Sequence, residues 1–176
     1  MPDVIGRPLA ADLPNIDRIA AFKAGMGRLA AGVCVITSAH EDAYFGYLAT
    51  AVTSLSTEPP SLLICTNKAT SAHDPISRSG TFCVNLLAVE HREIAKRFSD
   101  SNLRESRFAS GSWKAGITGA PALETALASF ECEVVRQVPF HSHTIFIGAV
   151  CNVILAETAI EPLVYLDRAY RNIAVS

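Results

Sequence analysis

Apolar residues recur at three- and four-residue spacing through Ile19, Phe22, Met26 and Leu29, after Asn15 and Asp17, which predicts an amphipathic helix ending near Gly32. The period then changes. Val33 to Ser38 is β-branched and apolar, His40-Glu41-Asp42 reads as a turn, and Tyr44 opens a second strand, so an antiparallel pair is expected. The run from Gly46 to Ser56 is unusual: small residues and hydroxyls dominate it, and Thr57-Glu58-Pro59-Pro60 closes it. It is too polar for a core strand and too apolar for a loop, and it suits a backbone that a flat ligand approaches closely. Ser61 to Cys65 follows as another strand, ending in the polar loop Thr66 to Ser71.

Ser71-Ala72-His73-Asp74 has the serine-then-acid spacing of a capping box, with Gly80 placed to end a short helix. Thr81 to Leu87 reads as a strand, and Glu90 to Phe98 as a helix with Ile94 and Phe98 on one face. Ser99 to Pro121, rich in Ser, Gly and charge, is expected to wrap the surface. Alternation returns at Ala128 to Val134, which predicts Phe130, Cys132 and Val134 inside and Glu131 and Glu133 in water. After a turn at Pro139, His143 to Leu155 forms a long β-rich run and Pro162 to Leu166 a last one. Strands follow strands with few helices between, so the expected class is mainly β with flanking helices, in a closed or nearly closed antiparallel barrel.

The length of 176 residues suits one domain, read as 16–176 behind an N-terminal extension at 1–15. A hydrophobic fraction of 49% against 18% charged residues is on the apolar side, so some of the surplus is expected to cover a partner subunit or a ligand. A net charge of -2 offers no broad basic field, which disfavours nucleic acid and anionic membranes. No apolar window is long enough to cross a bilayer, and the first residues lack the layout of a secretory signal. The five cysteines, Cys34, Cys65, Cys83, Cys132 and Cys151, are scattered singly and read as buried thiols in a reducing cytoplasm.

Few motifs carry chemistry alone. Gly25-x-Gly27 lacks the third glycine of a dinucleotide fingerprint and falls within the predicted helix. The loop Thr66-Asn67-Lys68-Ala69-Thr70-Ser71 is read in two ways: as an anion site built from N–H groups, hydroxyls and one ammonium, or as an ordinary strand-to-helix connection capped by Ser71. His141 and His143 share a face if the strand includes both, which gives either half a metal site or structural histidines; no acid or thiol completes it by spacing, and no metal is assigned. Trp113 is a packing anchor or a ligand edge.

The landmarks Gly32 to Thr37, Ala49 to Ser56, Pro59 to Cys65, Asn67 to Ser71, Phe82 to Leu87, Arg107-Phe108, Trp113, Leu127 to Glu133 and His143 to Gly148 occur in an order and spacing that resembles the short-chain flavin reductases. These are the small reductase components of two-component flavin monooxygenases such as 4-hydroxyphenylacetate 3-monooxygenase, and the likeness runs from about Phe22 to Arg171. The resemblance implies a split β-barrel homodimer of the FMN-binding type. It also implies FMN or FAD as flavin, NADH or NADPH as co-substrate, and a separate monooxygenase that takes the reduced flavin.

By the same likeness Thr50, Ala51, Val52 and Thr53 lie along the isoalloxazine, while Asn67, Lys68 and Ser71 hold the ribityl or phosphate end, with Ala72 and His73 close by. Arg97 and Phe98 come from the bordering helix, and Tyr170 and Arg171 close the pocket. His143 sits by the nicotinamide and is the one residue given a catalytic part, through positioning and electrostatics. Where many relatives carry Gly-Asp before this histidine, the chain has His141-Ser142. Two other functions fit the same fold: a reductase passing electrons to a cobalt(II) corrinoid or ferric complex, and a flavin- or haem-binding module without turnover.

Overall fold

A computed structural model of the chain describes residues 16–157 and 160–173, so the expected N-terminal extension lies outside the described residues. The strands are β1 (Ala31–Gly32), β2 (Cys34–His40), β3 (Ala43–Ala49), β4 (Val52–Thr57), β5 (Pro60–Asn67), β6 (Thr81–Leu86), β7 (Trp113–Ala115), β8 (Pro121–Leu123), β9 (Ala128–Phe140), β10 (His143–Leu155), β11 (Leu163–Leu166) and β12 (Ala169–Asn172). The helices are α1 (Ile16–Gly27), α2 (His73–Ser79) and α3 (Arg92–Ser99), and 3-10 turns cover Val89–His91 and Ser101–Ala109. The helix expected to run to Gly32 stops at Gly27, and β1 starts four residues later.

Seven strands form one antiparallel sheet in the order β3-β2-β6-β9-β10-β5-β4. Its edges are not joined by hydrogen bonds, yet strands from both ends share one core. Cys34, Ile36 and Tyr47 of β2 and β3 pack with Leu62 and Ile64 of β5 and Phe146 of β10. The buried Tyr47 hydroxyl lies 2.7 Å from Thr66 Oγ1, although β2, β6, β9 and β10 separate their strands in the sheet. The sheet therefore turns back on itself as a split barrel does. Buried Asn85 ties its middle together: its amide donates to Val35 O, and its carbonyl accepts from Leu123 N and Ser129 Oγ, leaving no orphan polar group at that position.

A second core lies outside the sheet, where Ile94, Ala95 and Phe98 of α3 pack on Val33, Val35, Leu87 and Leu163. Ser99 to Pro121 does more than wrap the surface. Phe108 and Trp113 stand 5.2 Å and 5.3 Å from Phe98 by ring centroid, and Arg107 is buried.

Three further expectations change. Glu131 is fully buried, because the 116–119 turn folds over it; its carboxylate accepts from Thr118 N at 3.1 Å and Asn152 Nδ2 at 2.8 Å. Cys151 is exposed, since it sits where the β9–β10 register shifts, whereas buried Cys34 and Cys132 have thiols that burial pushes up to about 12. His141 occupies the β9–β10 turn at φ 46, outside the strand that His143 begins, so the shared face of the two histidines does not form.

Gly148 shows how tightly the barrel is filled. A Cβ there would lie 2.6 Å from Phe82 Cζ and 2.8 Å from Cys132 Cβ. Gly148→Ala is expected to lower unfolding free energy by about 2 kcal/mol, measured by urea denaturation, because the β9 backbone would have to move; an unchanged midpoint would show that the strand accommodates the methyl group.

Candidate functional site

The strand β5 hands its chain to α2 through a loop that is polar because its backbone groups are satisfied locally. Asn67 Oδ1 accepts from Ala69 N at 2.9 Å, Asn67 O accepts from Thr70 N, and Lys68 N donates to Ser142 O. The capping box does not form: Ala72 is the N-cap residue of α2, and the helix has no side-chain cap. Ser71 Oγ instead accepts from Arg107 Nη1 at 3.2 Å.

Arg107 organises this end. Its guanidinium donates to Gly46 O at 2.6 Å and Asp100 O at 3.1 Å, and it stands 5.9 Å from the Phe98 ring centroid. Burial and the neighbouring Arg104 push its pKa down, and Asp100 pushes it up; a guanidinium stays charged regardless. Arg107 Nε and Thr70 Oγ1 are buried without partners. Thr70, Ser71, Arg104 and Arg107 line a groove of about 350 Å³ together with Asn67, Tyr47 and Phe98. Unsatisfied donors and two cations at one groove end are the features of an anion site.

Two more grooves continue it. One of about 370 Å³ shares Leu48 and Ser99 with the first and adds Thr50, Tyr165, Arg168 and Tyr170. The next, about 550 Å³, shares Thr50, Tyr165 and Arg168 and adds Ala51, Val52, Thr53, Met26 and Leu29. The run thus begins at paired arginines and ends on the small-residue segment that leads into β4, with Met26 of α1 and Leu29 just beyond that helix beside it. Ala51 O accepts from Cys65 N at 3.1 Å, which fixes that strand on β5.

Of the residues singled out from sequence, Thr50, Ala51, Val52, Thr53, Asn67, Ser71, Phe98 and Tyr170 line these grooves. Lys68, Ala72, His73, Arg97, His143 and Arg171 do not. Ala72 is fully buried. His73 bridges Asp74 Oδ1 and Thr144 Oγ1, 3.1 Å and 2.9 Å away, and Arg97 donates to Ser106. His143 pairs with Asn67 across β5 and β10, and its Nδ1 lies 2.9 Å from Ser142 Oγ. Arg104, Arg107 and Arg168 were not singled out as ligands, although Arg107-Phe108 stood among the landmarks.

Residues 26–174 match the model of the flavin reductase like domain. The chain belongs to this family. It is 40% identical over 153 residues to the FMN reductase (NADH) RutF of Methylorubrum populi, an alignment spanning 87% of this chain and 75% of that protein. Among solved flavin reductases, it superposes with TM-score 0.83 on the NADH:FAD oxidoreductase SgcE6 of Streptomyces globisporus in complex with NAD and FAD fragments, at 28% identity over 93% of this chain and 98% of that one. BorF, the flavin reductase component of a bacterial two-component tryptophan halogenase, superposes with TM-score 0.81 at 26% identity, covering 90% and 99%. The split-barrel architecture of flavin reductases is thus shared along nearly the whole described chain.

The forked contacts of Arg107 give a direct test. In Arg107→Lys a single ammonium cannot hold Gly46 O and Asp100 O in the same geometry. A stability loss of about 2 kcal/mol by urea denaturation is expected, and an unchanged value would make these contacts energetically idle.

Proposed function

We propose that the protein is an NADH-dependent flavin reductase, with the flavin phosphate at Arg104, Arg107, Thr70 and Ser71 and its ring along Thr50 to Thr53. The observation that carries this reading is the buried guanidinium and the orphan hydroxyl at one end of a groove whose other end is a small-residue strand. A phosphate would satisfy Thr70 Oγ1 and face the charge of Arg107. The family membership and the FMN reductase (NADH) relative favour FMN as the flavin and NADH as the reductant, with FAD entering the same grooves.

Bound flavin supplies the two-electron acceptor for hydride from reduced nicotinamide. The chain's part is to orient and exclude. Ala51 keeps the strand surface low enough for a ring to lie on it, and Leu48, Met26 and Leu29 keep water from its edges. Backbone N–H groups around Ala51 to Thr53 are the donors suited to charge at the reduced ring. His143, at the head of β10 opposite Asn67, is assigned to positioning the nicotinamide, with Ser142 fixing its ring.

Exposed Ile19, Phe22 and Met26 on α1 and Leu29 just beyond it, with Val153, Ile154 and Leu155 at the end of β10, support a homodimer that covers them. A separate monooxygenase is the recipient of the reduced flavin, as the likeness to two-component systems suggests. The scattered unpaired cysteines suit a cytoplasmic enzyme.

Purified protein is expected to oxidise NADH only when FMN or FAD is supplied or already bound, followed by nicotinamide absorbance; no flavin binding and no turnover would remove the proposal. Ala51→Leu should weaken FMN at least about tenfold by filling the close approach, at roughly 1.4 kcal/mol per decade, read by flavin fluorescence quenching. His143→Ala should instead raise the KM for NADH while FMN remains bound, and an unaltered NADH reaction would take His143 out of the site.

A further inference from the structure

The three grooves are lined by four cations, Lys23, Arg104, Arg107 and Arg168, and by no carboxylate among the described residues. This occurs in a chain whose acidic residues outnumber its basic ones, 17 to 15. Two of the cations belong to the phosphate end already described. Lys23 lines the far groove, and Arg168 lines both the middle and the far groove beside Thr50, away from Thr70 and Ser71, where one flavin mononucleotide has no second phosphate to offer.

Arg168 has a conformation that its residue type disfavours. Leu166 pairs with Ala169, so Asp167 and Arg168 form a two-residue hairpin turn with φ 50 and 58. Such turns favour Asp-Gly or Asn-Gly, because a side chain in the left-handed region brings Cβ too close to the following carbonyl. The turn is pinned by Asp167 N, which donates to Gly27 O at 2.7 Å. The guanidinium is exposed and has no hydrogen bond or ion pair among the described residues, and Tyr165 and Tyr170, 5.7 Å apart, wall the same groove. A strained position holding an unpaired cation over a groove is better accounted for by a ligand than by the turn itself.

We infer that Arg168, assisted by Lys23, is the recognition residue for the diphosphate of a dinucleotide lying across the Thr50 to Thr53 strand. The inference rests on the flavin reductase reading, which supplies such ligands from two sources, the nicotinamide dinucleotide and the adenylate half of FAD. Both present the same diphosphate to the same cations.

The test uses ADP as a turnover-independent probe. Isothermal titration is expected to show ADP binding to the wild type, weakened at least fivefold in Arg168→Gln and further in the double variant with Lys23→Gln, while the FMN dissociation constant stays within twofold. Comparing the KM for NADH and the affinity ratio of FAD to FMN between wild type and Arg168→Gln then assigns the source. A raised KM alone marks the nicotinamide dinucleotide, and a lowered FAD preference alone marks FAD. Arg168→Gly separates recognition from folding: its Tm should be unchanged or higher while ADP binding falls. Equal ADP binding in wild type and variants, or an FMN loss as large as the ADP loss, would overturn the assignment. A wild type that binds ADP but neither binds nor reduces flavin would instead sink the flavin reductase reading and leave the diphosphate site standing.

Discussion

A buried guanidinium without a carboxylate partner is the constraint around which the rest of the molecule is arranged. Arg107 is held by two backbone carbonyls and a hydroxyl, dipoles that solvate the charge without neutralising it. Those carbonyls come from β3 and from the end of α3, so placing the arginine fixes the edge of the barrel against the helix that covers it. Had an aspartate stood opposite, the same packing would have resulted and the groove would have lost its appetite for anions. Gly46 permits this contact: a Cβ there would lie 2.7 Å from Phe98 Cε1, so a side chain would push away the ring beneath the guanidinium.

The ligand-facing strand depends on the opposite economy. Val52 to Thr57 is an edge strand with little burial, and of its side chains Val52 packs against the core while the others are exposed. Its order comes from backbone pairing with β5, which frees the side chains to be small. The exposed edge and the exposed apolar side chains of α1 are then available to the flavin and the partner subunit proposed above, which would account for a composition on the apolar side.

Periodicity made the barrel strands legible, and the unusual run at Gly46 to Ser56 contains the Thr50 to Thr53 segment that lines two grooves. The loop at Asn67 to Ser71 was recognisable as polar chemistry, but its cations were not, because Lys68 is adjacent in sequence while Arg104 and Arg107 arrive from a 3-10 stretch with no amphipathic period to mark it. Ser71 misled for a related reason. The spacing to Asp74 fits a cap, yet an arginine thirty-six residues downstream competes for the same oxygen, and local patterns carry no record of tertiary competitors. Glu131 was hidden by regular alternation: a carboxylate in a strand reads as solvent-facing until a distant turn closes over it. Arg168 sits in a turn, where sequence reading attends to backbone shape and overlooks what the side chain faces.

The cation-lined groove also has a kinetic meaning. On a molecule of net charge -2, a phosphate several tens of ångströms away meets a weakly repulsive field, while within about 10 Å, the screening length at 0.1 M salt, it meets the cations that line the grooves. Guidance is therefore short-ranged and confined to the mouth of the cleft. On the proposed reading, flavin and nicotinamide would be captured where they must react, because these cations are gathered in the cleft and not spread over the surface.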